Sequence, residues 1–296
     1  MRLSTSTNLF GMKRFSEEYT PYIECLHRCH KAGFRVMDAN FCPVLEIYNV
    51  LNEENWKDYI LRLREESDSL GMEFTQSHLP IYCFYPNGRE IVTMEQFMTL
   101  TERSIIASSI LGVKWAILHA ITDVVNNQHD NAQSKKTNHE FYSSVIEFAK
   151  KHNVGIAIEN MAEFSPQKMK RRYTATTEEL IDLVDSFNDK DVQICWDFGH
   201  GNLMYNDQCA SLLSIGKRLK ATHVDDNRAN HDAHLPPFFG TVNWEKIMPV
   251  LKQIGYEGDF TYEIHGLNDR MPDVLKDEAA KFSYDIGMYC LSLADK

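Results

Sequence analysis

The stretch from residue 192 to residue 234 decides the fold, because it twice repeats a short apolar run that ends in potential metal ligands. The run VQICW (192–196) is followed by DFGH (197–200), and the run LKAT (219–222) is followed by HVDD (223–226) and then HDAH (231–234). Short apolar runs are typical of buried parallel strands. Carboxylates and imidazoles at strand ends suit zinc or manganese. Surface turns with capping aspartates would explain one such cluster, but not several in succession.

The same alternation extends over the whole chain. Eight apolar runs are each followed by a longer stretch with the three- and four-residue apolar spacing of a helix. The predicted strands cover residues 2–6, 34–38, 73–77, 115–118, 155–158, 192–196, 219–222 and 259–262. This order predicts one α/β domain over residues 1–296, a (β/α)8 TIM barrel. An open doubly wound sheet is the alternative, but no Gly-x-Gly-x-x-Gly follows the first strand.

Five other segments carry specific expectations. Helices are predicted over about residues 16–31, 53–70 and 273–293. The asparagine-rich segment 126–138 predicts a mobile loop. The basic segment QKMKRRY (167–173) follows the fifth strand, so it would lie on the face that carries the ligands. It is either a solvated charged loop or a site for a phosphate or another anion.

Composition narrows the class of partner. The 296 residues carry a net charge of −11 and therefore lack the broad basic surface of nucleic-acid-binding proteins, so we expect no nucleic-acid partner. The seven scattered cysteines indicate reduced thiols in a cytoplasm, not a disulfide framework. The N-terminus has no signal core and no run reaches the ~18 apolar residues of a membrane span, so we expect no membrane contact. A homo-oligomer is left open.

Six potential ligands stand where six successive predicted strands end. They are His78, His119, Glu159, Asp197, His223 and Glu263, at intervals of 41, 40, 38, 26 and 40 residues. The carboxyl ends of barrel strands converge on one face. Burying so many ionisable groups together is costly unless a cation pairs with them. The strongest set for one divalent ion, Mn²⁺, Co²⁺, Mg²⁺ or Zn²⁺, is Glu159, Asp197, His223 and Glu263.

Further histidines and an aspartate lie close to these strand ends in sequence. His200 would lie on the loop after the sixth strand, and Asp232 and His234 alternate so that both could turn towards one centre. His231 and His265 fall out of phase with the strand ends, and we interpret them as bystanders.

Seven short motifs carry a family resemblance: IEN (158–160), DxxH (197–200), HVDDN (223–227), DxHLPP (232–237), GxVxW (240–244), GYxG (255–258) and YE (262–263). Together they resemble the xylose isomerase-like TIM-barrel superfamily over essentially the whole chain. That superfamily includes sugar and sugar-phosphate isomerases and epimerases, and trinuclear-zinc apurinic/apyrimidinic endonucleases. The resemblance is specific for the fold and the metal face, and says less about the substrate.

The isomerase and epimerase members imply a small-molecule sugar substrate and one divalent metal on Glu159, Asp197, His223 and Glu263. The two glutamates would also move a proton. His200 would contact the sugar, and Arg228 resembles the arginine that such epimerases use on a substrate hydroxyl. Candidate walls for the sugar ring are Trp115, Trp196, Phe164 and Phe238, with core packing as the alternative for the two tryptophans.

The endonuclease members imply a larger site with up to three zinc ions. Their nine ligands match residues that are all present: His78, His119, Glu159, Asp197, His200, His223, Asp232, His234 and Glu263. However, the first strand, STSTN (4–8), lacks the glycine-rich opening of the endonucleases. The segments after His119 and Glu159 also lack their Thr-Ala-Gly and Pro-Gly patterns. We therefore predict a sugar isomerase or epimerase, with a phosphodiesterase of the endonuclease type as the alternative and a binding protein without turnover as a third hypothesis.

Overall fold

Eight parallel strands follow one another around a closed cylinder. The computed structural model describes residues 1–11, 19–42, 49–81, 93–125, 128–163, 171–268 and 271–295. The strands are β1 Leu3–Ser6, β2 Val36–Asn40, β3 Glu73–His78, β4 Trp115–His119, β5 Gly155–Glu159, β6 Val192–Asp197, β7 Leu219–His223 and β8 Phe260–Tyr262. Each of β1 to β6 pairs with the next strand, and β1 also pairs with β8.

The cylinder closes just beyond β7. The backbone N–H of Val224 donates to Thr261 O (2.7 Å), and the N–H of Glu263 donates to Val224 O (3.0 Å). These bonds join the last two strands, so the sheet has no free edge along this line. The predicted TIM barrel is therefore confirmed, and the open doubly wound sheet is excluded.

Helices between the strands cover the outside of the barrel. They are α1 Tyr22–Ala32, α2 Trp56–Ser69, α3 Met94–Leu111, α4 Asn131–Lys151, α5 Thr177–Phe187, α6 Phe198–Met204, α7 Cys209–Ile215, α8 Trp244–Gln253 and α9 Asp273–Leu293. Helix α1 begins later than predicted, after Pro21. Within the described part of the chain, no helix combines the length and the apolar character that crossing a bilayer requires.

The segment predicted as a mobile loop instead contains the start of α4. Residues 126–127 lie outside the described residues, but α4 begins at Asn131. The Asp130 carboxylate caps it by accepting from the N–H of Gln133 (2.8 Å). Asn138 is fully buried and bonds both the N–H and the C=O of Ile121 (2.9 and 2.7 Å). The prediction was wrong because polarity alone does not show that an asparagine faces inward.

The interior of the barrel is filled in layers. Ile117, Ala157, Cys195 and Ala221 pack together at mid-height, and Trp115 lies against them nearer the amino-terminal end of β4. Trp115 is therefore core packing and not a wall of a site at the opposite end.

Strand alternation then sets the position of the ligands. Side chains two residues apart point to the same side of a strand. Each mid-layer residue is therefore followed, two positions on, by a polar residue at the carboxyl end of its strand: His119, Glu159, Asp197 and His223. The small Ala157, Cys195 and Ala221 thus form the floor beneath the polar layer.

Gly155 provides the space that Trp115 occupies. A Cβ on Gly155 would lie 2.5 Å from Cζ3 of the Trp115 ring. We expect Gly155→Ala to lower the free energy of unfolding by about 1–3 kcal/mol, because the ring must move in a packed interior. Urea denaturation measures the loss. Adding Trp115→Leu should recover part of it, and strictly additive losses in the double variant would contradict this contact.

Candidate metal centre

Three carboxylates and an imidazole meet at the carboxyl end of the barrel. One ligand atom from each of Glu159, Asp197, His223 and Glu263 lies within 4.8 Å of the others, and all four residues are buried. His223 Nδ1 lies 3.2 Å from Glu159 Oε2 and 3.3 Å from Glu263 Oε2. The four predicted ligands are therefore close enough to share one ion.

Several polar atoms of this cluster make no hydrogen bond within the described part of the chain. Among the described residues, Glu159 Oε2, Asp197 Oδ2 and His223 Nδ1 are buried without a hydrogen-bond partner. A buried unsatisfied polar atom costs about 1–3 kcal/mol. A divalent cation takes oxygen and imidazole nitrogen ligands of this kind, so the residues present fit such an ion.

Asp197 also caps a helix, which is the role that an interpretation of these residues as surface turns would assign to it. Its Oδ1 accepts from the N–H of His200 (2.5 Å) at the start of α6, while Oδ2 stays unpaired. Asn160 fixes the end of β6 by accepting from Asp197 N–H (2.6 Å) and donating to Asp197 O (2.9 Å). One oxygen of Asp197 is therefore held by the helix and the other remains available to a cation.

His78 and His119 lie on one side of Glu159. His119 Nε2 is 3.1 Å from Glu159 Oε2 and 3.2 Å from His78 Nε2. The Nδ1–H of His78 donates to Leu79 O (2.7 Å), which leaves Nε2 facing the cluster. Burial is the main cause that lowers the pKa of His119 to about 4, so this imidazole is neutral at pH 7 and can act as a ligand.

His200, Asp232 and His234 lie on the other side. Asp232 Oδ2 is 3.3 Å from His200 Nε2 and 3.2 Å from His234 Nε2, and His200 Nδ1 is 3.3 Å from Glu159 Oε1. Burial opposes charging of both imidazoles, but Asp232 and neighbouring carboxylates outweigh it and raise the pKa of His200 and His234. The structure thus brings all nine predicted ligand residues into one connected cluster.

Sequence reasoning missed two members of this cluster. Asp225 is buried; its Oδ1 accepts from the N–H of Gly199 (2.9 Å), and its Oδ2 lies 3.8 Å from His234 Nδ1. It stands two residues after His223, so strand alternation could have identified it. His265, interpreted from the sequence as a bystander, packs its ring 4.0 Å from that of His234 between centroids and forms a possible ligand group with His234 and Glu263. His231, by contrast, is exposed.

Asp226 organises the loop that carries Asp232 and His234. Its carboxylate accepts from four donors at 2.8–3.2 Å: the N–H groups of Asn227, Phe238 and Val242 and the indole of Trp244. Its backbone pairs with Leu235 in both directions (2.8 and 2.9 Å). His234 adopts a φ of 45°, a left-handed conformation that persists only where surrounding contacts hold it.

Two of the other predicted substrate contacts pack elsewhere. The Trp196 indole is buried and donates to Gln208 Oε1 (2.8 Å), so Trp196 is core packing. Phe238 is exposed and packs against Tyr289, with ring centroids 5.7 Å apart. Arg228 is exposed on the loop after β7, and its contact with substrate stays a prediction. Phe164 lies outside the described residues.

Comparison with known sequences identifies related chains. A family model described as xylose isomerase-like TIM barrel matches residues 26–285. An uncharacterised protein of Methanocaldococcus jannaschii is 29% identical over 139 residues, which are 46% of each chain. An uncharacterised protein of Sinorhizobium fredii is 29% identical over 111 residues, 38% of this chain and 33% of that protein. The matches thus span less than half the length of these curated relatives.

Several solved structures share the fold over nearly the full chain. A D-tagatose 3-epimerase-like protein superposes with a TM-score of 0.74 at 21% identity, covering 100% of this chain and 98% of that one. A D-psicose 3-epimerase, solved in the presence of D-fructose, gives 0.74 at 14% identity, with 98% and 99% covered. The 3-keto-D-glucoside 4-epimerase of E. coli gives 0.70 at 16% identity, with 97% and 99% covered. At these identities the likeness shows the fold.

Asp226→Ala should destabilise the protein strongly. The substitution leaves four donors without their acceptor, so we expect the free energy of unfolding to fall by about 3 kcal/mol or more. Chemical denaturation measures the loss, and limited proteolysis should show earlier cleavage between residues 227 and 241. Asp285→Ala, which removes one exposed ion pair with Lys281, is the control and should cost less than about 1 kcal/mol. Equal losses for the two variants would contradict the role of Asp226.

Metal ions should stabilise the folded chain. At a free Mn²⁺ or Co²⁺ concentration 100 times the Kd, an ion that binds only the folded state adds about 2.7 kcal/mol. Thermal denaturation of chelator-treated protein, with and without the ion, measures this as a rise in Tm. The rise should disappear in His223→Ala and persist in His231→Ala. A Tm that no divalent ion changes would contradict a metal centre.

Proposed function

We propose that this chain, which belongs to the xylose isomerase-like TIM-barrel family, is a divalent-metal-dependent isomerase or epimerase of a sugar or sugar phosphate. The observation that supports this most strongly is the pair Glu159 and Glu263, whose carboxylates flank His223 Nδ1 at 3.2 and 3.3 Å in a buried cluster. Sugar 3-epimerases among the solved structures of the same fold agree with this proposal.

The two glutamates supply the proton transfer. A divalent ion held by Glu159, Asp197, His223 and Glu263 would act as a Lewis acid on a substrate carbonyl and make the neighbouring C–H more acidic. One glutamate takes the proton from that carbon. The other takes up a proton from solvent and returns it to the opposite face for epimerisation.

Both glutamates are ionised and can therefore accept a proton. Burial raises the pKa of Glu159, but the imidazoles of His223 and His119 outweigh burial and hold it well below its ordinary value. Burial likewise opposes ionisation of Glu263, whose pKa is lowered by His223 and His234. In this environment each carboxylate is charged at neutral pH.

His200 is the proposed sugar contact closest to the glutamates. Its Nδ1–H donates to Asn160 O (2.9 Å), which fixes the ring, and its Nε2 lies 3.3 Å from Asp232 Oδ2. The ring is thereby fixed with Nδ1 beside Glu159 Oε1 (3.3 Å), and its Nε2 edge is the one that can orient a substrate hydroxyl. Arg228 is a second proposed contact, from the loop after β7.

A zinc-dependent phosphodiesterase of the endonuclease type is the second candidate. The observation that favours it is the extent of the cluster, which reaches His78 and His119 on one side and Asp232 and His234 on the other. Up to three zinc ions could be held by such a set. The net charge of −11 does not favour a polyanionic DNA substrate, so we rank this candidate second.

Proton transfer in heavy water should introduce solvent deuterium into the sugar. In D₂O with Mn²⁺ or Co²⁺, ketoses incubated with the protein should gain deuterium next to the carbonyl, detected by NMR. Glu159→Gln and Glu263→Gln should each lower kcat by about 10²–10⁴-fold, because each removes one proton-transfer group. Glu257→Gln, at the opposite end of the barrel beside Gly258 and Asp259, is the control and should retain activity.

Three outcomes would overturn this choice. Absence of deuterium from every ketose tested would contradict proton-transfer chemistry. Close to three zinc ions per chain, together with cleavage of abasic duplex DNA, would establish the second candidate instead. Stabilisation by a sugar without product from any substrate would indicate a binding protein.

A further inference from the structure

Residues 171–174 return the chain to the mouth of the barrel after β5. The backbone N–H of Tyr173 donates to Thr122 Oγ1 (2.8 Å), three residues beyond the end of β4. The Thr174 hydroxyl donates to Glu159 O (3.0 Å). The segment is therefore tied to the ends of both strands that carry His119 and Glu159.

The backbone of this segment is strained. Thr174 adopts a φ of 66°, in the left-handed region that β-branched residues rarely enter. It is fully buried, and its C=O accepts from the N–H of Met161 (3.1 Å). Strain of this kind persists where the surrounding structure enforces it, and it is found most often at functional sites. These contacts fix the backbone of the two residues that directly follow Arg172.

The two arginines of this segment differ in their pairing. Arg171 donates to Glu179 Oε1 (2.6 Å), and its Nε lies 3.2 Å from Glu163 Oε1, so its charge is neutralised within the protein. Arg172 is partly buried, and across the described ranges it forms neither a hydrogen bond nor an ion pair. A partly desolvated, unpaired charge is unfavourable unless a ligand supplies its partner.

The charge of Arg172 also reaches the cluster of ligand residues. The guanidinium of Arg172 is one of the charges that act on His119, whose Nε2 lies 3.1 Å from Glu159 Oε2. Arg172 therefore lies within electrostatic range of the site that carries Glu159. Its guanidinium forms no ion pair with any of the described carboxylates of that site.

We propose that Arg172 binds an anionic group of the substrate, a phosphate or a carboxylate, at the rim of the metal centre. This inference rests on the proposed sugar isomerase or epimerase function and specifies its substrate class. A guanidinium forms two parallel hydrogen bonds with either group. The rest of the cluster offers carboxylates such as Asp225 and Asp232, which repel anions, so an anionic group binds best on the side of Arg172.

The two arginines of the basic segment 167–173 therefore have different roles. Residues 167–170 lie outside the described residues. Of the two arginines that follow, Arg171 is an internal ion-pair partner, and Arg172 carries the anion-binding role that the sequence left open for the segment.

Matched sugars test the proposal. D-Fructose, D-fructose 6-phosphate and D-fructuronate share a ketose and differ in carrying no anion, a phosphate or a carboxylate. With Mn²⁺ present, at least one anionic sugar should bind the wild-type protein more tightly than D-fructose in calorimetry. Arg172→Ala should weaken that binding about 10- to 100-fold, the loss expected for a hydrogen-bonded charge, and leave D-fructose within about twofold. The anionic sugar that loses affinity identifies the group.

Two variants control for charge and folding. Lys217→Ala removes one exposed positive charge near the amino-terminal end of β7, at the opposite face, and should leave all three affinities unchanged. Arg172→Lys should retain part of the affinity for the anionic sugar. Circular dichroism and Tm of Arg172→Ala should match the wild type, since Arg172 has no partner among the residues that the structure describes.

The outcomes separate this inference from the proposed function. If D-fructose gains solvent deuterium while Arg172→Ala affects neutral and anionic sugars equally, the isomerase proposal stands and the anion site is wrong. If no sugar exchanges deuterium but an anionic sugar binds in an Arg172-dependent way, the anion site stands and the isomerase proposal fails. Anionic sugars that bind no more tightly than D-fructose would overturn the inference.

Discussion

The mutual repulsion of buried carboxylates is the constraint on which the rest of this site depends. Glu159, Asp197 and Glu263 each place an oxygen within 4.8 Å of the others in the interior of the barrel mouth. Two like charges about 4 Å apart cost on the order of 4 kcal/mol at an effective dielectric constant near 20. Imidazoles such as His223 offset part of this cost, and the unpaired oxygens indicate that a cation offsets the remainder.

The closed sheet is what holds these groups together against their repulsion. A parallel barrel gives each strand two hydrogen-bonded neighbours, so the backbone of a residue at a strand end cannot move away without breaking this pairing. The layer below, with its small residues and the Trp115 ring packed over Gly155, supports the polar layer from the floor. Asp226 provides the same rigidity to the loop above by accepting four hydrogen bonds.

The charge distribution around the mouth is uneven, and this unevenness bears on the chemistry. Asp225, Asp232 and Glu263 surround His234 on the side of β7 and β8, whereas Arg172 lies near His119 on the side of β4 and β5. A substrate with one anionic end would therefore bind in a single direction. Such a fixed orientation is what proton transfer between two defined glutamates requires.

The sequence alone determined the order of strands and the residues at their carboxyl ends, from His78 to Glu263, because a two-residue period and a repeating βα unit are local properties of the chain. It could not determine contacts that depend on folding partners distant in sequence. Only the tertiary structure decided that His265 packs on His234, that Asn138 is buried, and that Trp115 and Trp196 belong to the core. It also decided that Arg171 is paired whereas Arg172 has no partner in the described part of the chain, because Glu163 and Glu179 reach one guanidinium and not its neighbour.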